Sequence, residues 1–147
     1  MATHGEAAVA AAVRTARTMQ VIFLAAIGLY IYAAEKVPHA ATNVPDVLFV
    51  AAFAAIAIVD ASIAFGFRKK LLEPAAEALR QNPNDAVALV RWRKAHILSV
   101  VLAMSVALCG FTLRFMGGSL NVVALFYGGA IGLLLLWWPR LDAGTVS

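Results

Sequence analysis

Charge is scarce in this chain, and the apolar stretches almost exclude it. Of 147 residues only 14% are charged and 63% are hydrophobic, whereas an ordinary soluble domain carries about a quarter charged residues. A mean hydropathy of +0.84 points the same way. Cysteine is scarcer still. Cys109 stands alone in apolar surroundings, which excludes an intrachain disulfide and a cysteine-based metal set. The three histidines are scattered, His4 near the N-terminus, His39 in a polar loop and His96 at the opposite edge of an apolar run. They do not converge on a metal or haem, so no cofactor is expected. No nucleophile–base pair, phosphate-binding loop or paired carboxylate is visible, so no catalytic residue is assigned and the chain is read as a non-enzyme. The N-terminal segment is alanine-rich and reads as a short helix over the first 17 residues, with Thr3 placed to cap it and Arg14 and Arg17 marking the edge of the first apolar run. It lacks an early apolar core with a small-residue cleavage site, which argues against a cleaved signal peptide.

What the chain has in abundance is long apolar runs, at roughly 18–34, 47–67, 95–115 and 121–138. A run of about 20 residues crosses a bilayer core at 1.5 Å rise per residue. The expected fold is an all-α integral membrane protein, one domain over 1–147, with four transmembrane helices in a bundle. A helical extension at 68–94 separates spans two and three. Within it Leu71 to Gln81 reads as helix, with Pro74 tolerated only near its start or as a kink. Asn82-Pro-Asn-Asp85 is a turn signal, and Asn84 or Asp85 is placed to cap a helix beginning at Ala86. Met116-Gly-Gly-Ser-Leu120 is a tight connection. Trp92 among Arg91, Arg93 and Lys94 fits an interfacial belt, as do Tyr30, Tyr32 and Tyr127 on the other side.

The net charge of +4 first looks like a signal for nucleic acid. Placing the basic residues removes that partner, because they flank the apolar runs. Ten of the 12 Lys and Arg fall in the N-terminal segment, the 68–94 extension and the tail, leaving Lys36 and Arg114 for the two other connections. By the positive-inside rule both termini and the extension are expected in the cytoplasm, with a prokaryotic inner or plasma membrane as the location.

One carboxylate breaks the pattern. Asp60 is the sole ionisable group between Val47 and Phe67, about 12 Å along the helix from Arg68. An acid at such depth costs a few kcal/mol and marks either a function or a buried polar contact. A packing role, with a hydrogen bond to Ser62, Ser105 or a backbone carbonyl, stands beside proton or cation binding by Asp60, Ser62 and Ser105. Met104 lies at similar depth on the following span. Around the two positions the sequence repeats, Asp60-Ala-Ser-Ile-Ala-Phe-Gly-Phe67 against Met104-Ser-Val-Ala-Leu-Cys-Gly-Phe111.

The stretch Leu102-Ala-Met-Ser-Val-Ala-Leu-Cys-Gly110 resembles the carboxylate helix of the c subunit (proteolipid) of rotary ATP synthases and ATPases. Met104 replaces the acid there, and the family's glycine-rich first helix and Arg-Gln-Pro-type loop are missing. The resemblance implies a c-subunit-like protein of an oligomeric assembly, with Asp60 as the ion carrier. The alternative is a non-catalytic accessory or structural subunit of a larger membrane complex. A glutathione-transferase-like four-span enzyme is disfavoured, since spans one and two lack its arginine- and asparagine-rich polar sites. The expected partners are the lipid bilayer and either further copies or a larger complex. Small residues at Ala54, Ala57, Ala61 and Ala64, and at Gly128 and Gly132, allow close helix contacts.

Overall fold

The computed structural model describes residues 4–36, 47–139 and 141, and every regular element among them is helical. Helix α1 spans His4–Lys36, α2 Val47–Phe67, α3 Glu73–Gln81, α4 Ala86–Phe115 and α5 Leu120–Leu136. Three rods, His4–Lys36, Val47–Gln81 and Ala86–Phe115, are long and apolar enough to cross a membrane, while α5 is a shorter apolar helix. The loop at 37–46, with His39, Asn43 and Asp46, lies outside the described residues, as do Thr3 and the tail beyond Leu141.

The alanine-rich N-terminus and the first apolar run form one helix of 33 residues, with no break at Arg14 or Arg17. Both arginines are exposed, so neither interrupts the buried stripe Val9, Ala12, Val13, Ala16, Gln20, Ile27 and Ala34. Steps of three, four and seven keep that stripe on one face.

Between α2 and α3 the backbone widens into a π-helical turn, Arg68–Leu72, closed by the Glu73 N–H on the Arg68 carbonyl. Pro74 supplies the reason. It has no N–H and its ring crowds the carbonyl four residues earlier, so an inserted wider turn carries the chain past it. The rod continues to Gln81 without a break in helical backbone. The turn at 82–85 then reverses the chain, and the Asp85 carboxylate accepts from the Ala88 N–H at 2.9 Å, which satisfies one open donor of α4.

Helix α4 ends in a Schellman motif. The Gly118 N–H bonds the Leu113 carbonyl at 2.8 Å and the Gly117 N–H bonds that of Arg114 at 3.0 Å. Gly117 has φ 91°, a left-handed conformation that favours glycine.

Helix α4 is the hub, packed against α1, α2, α3 and α5. Half of its most apolar window is buried, against 6% for α2. Two cores result. One joins Ile27, Ala64, Val100, Ala107, Leu113, Val123 and Leu134. The other joins the N-terminal half of α1, α3 and the start of α4 through Val9, Ala16, Leu72, Leu79 and Trp92. This second core makes the 68–94 extension a packed knob, with α1 as its third helix.

Trp92 corrects an expectation. It is not an interfacial anchor but 2% exposed inside the second core, stacked on His96 with centroids 5.5 Å apart. Tyr127 is likewise buried, with no partner for its hydroxyl, while Tyr32 is exposed beneath Lys36 as expected of a surface aromatic.

Candidate functional site

Asp60 sits on the face of α2 that meets α4, since Val50, Phe53, Ala54, Ala57, Asp60 and Ala64 follow one another at three- and four-residue steps. It is half-buried. Among the described residues it makes no hydrogen bond or ion pair.

The two serines behave differently. Ser62 is exposed, and its hydroxyl donates to the Ile58 carbonyl of its own helix at 2.7 Å, which satisfies it without Asp60. Ser105 is half-buried and lies one turn before Cys109 on α4. Its hydroxyl has no hydrogen bond among the described residues. The seam between α2 and α4 therefore contains no hydrogen bond between Asp60 and Ser105. It does not surround the carboxylate with oxygens, and no group of three or more His, Cys, Asp or Glu able to hold a metal occurs among the described residues.

The glycines of the repeated pattern separate in the fold. A Cβ on Gly110 would meet the Phe126 Cβ at 2.8 Å, so glycine sets the approach of α4 to α5, whereas Gly66 has nothing within 4 Å. Gly128 and Gly132 are also open. Their small-residue face points away from the rest of the chain.

A second polar group is buried at the α1–α4–α5 junction, and the sequence pattern underplayed it. Gln20 is fully buried and donates to the Leu134 carbonyl, leaving its Oε1 unpartnered. His96, 2% exposed, lies beside Ala16 of α1 and leaves its Nε2 unpartnered. Ser99 donates to Ala95 at 2.8 Å. The available signal was positional, because Gln20 continues the Ala12–Ala16 stripe and His96 and Ser99 share a face.

At the far end of the rods Arg114 bridges α4 to α1, 3.2 Å from Glu35, and donates to the Gly118 carbonyl. At the near end Trp137 of the α5 terminus is clamped by the Arg68 guanidinium, 5.3 Å from its ring, and by the edge of Phe65. Comparison with known protein families, curated proteins and solved structures returned no match.

Proposed function

We propose that this chain is a non-catalytic integral membrane subunit of a larger assembly, inserted through all four apolar rods. In this reading Asp60, half-exposed at the edge of the α2–α4 seam, is the polar contact to a neighbouring chain. The observation that carries it is the state of α2. The helix is apolar around its whole circumference, buries only Ala64 fully, and holds an unpaired carboxylate at mid-length.

In lipid that carboxylate costs about 2.5–3.5 kcal/mol, and no group among the described residues pairs with it. A polar or basic group on a neighbouring helix supplies what is missing. The open Gly128 and Gly132 face of α5 is a second surface suited to close helix contact. The ten-to-two distribution of Lys and Arg supports a cytoplasmic knob and cytoplasmic termini.

The native mass of the detergent-solubilised particle tests this reading. The expected particle is larger than the 15.6 kDa chain with its detergent, and Asp60→Leu releases the chain from it while Asp60→Asn does not. A monomeric wild-type particle, or an Asp60→Leu particle of unchanged mass, removes the proposal.

The second reading, a c-subunit-like proton or cation carrier, is favoured by one observation. Asp60 lies on the α2 face that packs against α4, the helix that bears the resemblance. It requires carbodiimide modification of Asp60 in native membranes and loss of ion flux in Asp60→Asn. Neither is expected of a packing contact, so the two experiments separate the readings.

A further inference from the structure

Cations without an acidic partner gather where the apolar rods meet the knob. The ion pairs among the described residues are Arg80–Glu77 and Arg114–Glu35, and Lys69, Lys70, Arg91, Arg93 and Lys94 join neither. Three clefts open at this level, each with a cation over an apolar lining. Lys70 overhangs one at the foot of α2, Arg91 and Lys94 flank one on α4, and Arg93 edges one between α1 and α4.

The α1–α4 cleft is the most enclosed, with a volume of ≈ 170 Å³. Ala16 and the stacked Trp92–His96 pair line its buried part, and Arg93, Met19 and Ile97 line its outer part. Thr15, the other polar side chain at the edge, already donates to the Ala11 carbonyl at 3.0 Å. The cleft thus presents one free cation above a wall that is apolar apart from the buried His96 imidazole. That combination suits an amphipathic anion and offers little to a polar metabolite.

We propose that the α1–α4 cleft binds an anionic phospholipid, with its phosphate against Arg93 and an acyl chain along Met19 and Ile97. Charge complementarity favours this occupant, and basic pockets between helices at a membrane surface take such headgroups. The proposal rests on the membrane reading for its supply of lipid, and adds to it a site and a preferred headgroup.

Native mass spectrometry of the full chain in detergent, offered equal amounts of phosphatidylglycerol and phosphatidylcholine, reads the preference directly. Wild type is expected to retain phosphatidylglycerol selectively, and Arg93→Gln to weaken that retention about fivefold. Arg80→Gln, whose cation is already paired with Glu77, should leave it unchanged. Thr15→Trp keeps every cation but fills the cleft from its exposed edge, and should also weaken retention. All three positions are exposed, and circular dichroism confirms that each variant keeps its helices.

Equal retention of the two lipids overturns the site. So does an equal effect of Arg80→Gln and Arg93→Gln, or displacement of the lipid by inorganic phosphate. Alkaline carbonate extraction keeps the two readings apart. A chain that stays in the membrane pellet but shows no headgroup preference loses the lipid site alone, whereas a chain released into the supernatant loses both.

Discussion

Two glycines in matching places of the repeated pattern have opposite roles, and only their neighbours tell them apart. At Gly110 an added Cβ lies 2.8 Å from the Phe126 Cβ, closer than carbon atoms approach, and both atoms are fixed to backbone. Gly110→Val should therefore push α4 from α5 and cost about 1–3 kcal/mol, read as a lowered unfolding temperature in detergent. Gly66→Ala meets nothing within 4 Å and should be neutral or stabilise by up to about 1 kcal/mol through helix propensity. Equal destabilisation by the two would contradict the close α4–α5 approach. Gly66→Leu extends the test to partners, since a bulky side chain on an open face disturbs an assembly and leaves the isolated chain intact. A smaller native particle with an unchanged unfolding temperature is the expected result.

The ends of the helices carry their own restraints. Asp85→Ala removes the side-chain acceptor of the Ala88 N–H and should cost about 1 kcal/mol, opening the 82–85 turn to protease. Gly5 of α1 packs on that turn, where an added Cβ would lie 2.6 Å from the Pro83 carbonyl oxygen. Gly5→Val should accordingly raise the same cleavage without touching the cap. Protease resistance unchanged in both variants would show that α1 does not brace the turn. At the other end, Gly117→Ala places a Cβ on a residue with φ 91° and should cost about 1 kcal/mol. Its measure is faster hydrogen exchange in the last turn of α4, where the Arg114 and Leu113 carbonyls are capped.

The arrangement of the rods makes opposite faces of the molecule addressable. Asn84 and Ser119 are both exposed and stand at opposite ends of α4. In a Cys109→Ser background, single cysteines at these positions should react with an impermeant thiol reagent from opposite sides of the membrane. Ser119→Cys labels in intact cells, and Asn84→Cys labels only after permeabilisation. Labelling of Asn84→Cys from outside would reverse the orientation that the basic residues imply.

The apolar helices, a disturbance at Pro74, the 82–85 turn and the 116–119 connection were readable in the amino-acid sequence, because each depends on residues within one or two turns, whereas the unbroken run of α1 from His4 to Lys36 was not. Proline lacks an N–H, aspartate caps, and glycine takes positive φ wherever they fall. What could not be read was which way each helix faces. A helix as uniformly apolar as α2 carries no polar stripe to mark its outside, so nothing local reveals that Ala64 is its buried residue or that Asp60 stands at the α4 seam. Trp92, surrounded by Arg91, Arg93 and Lys94, looked like a surface aromatic until α1 and α3 closed over it. Gln20 and His96 are buried for the same reason. Local chemistry determines where a helix starts, bends and stops, whereas the α1, α2, α3 and α5 contacts along α4 decide which side chains are enclosed and which face outward.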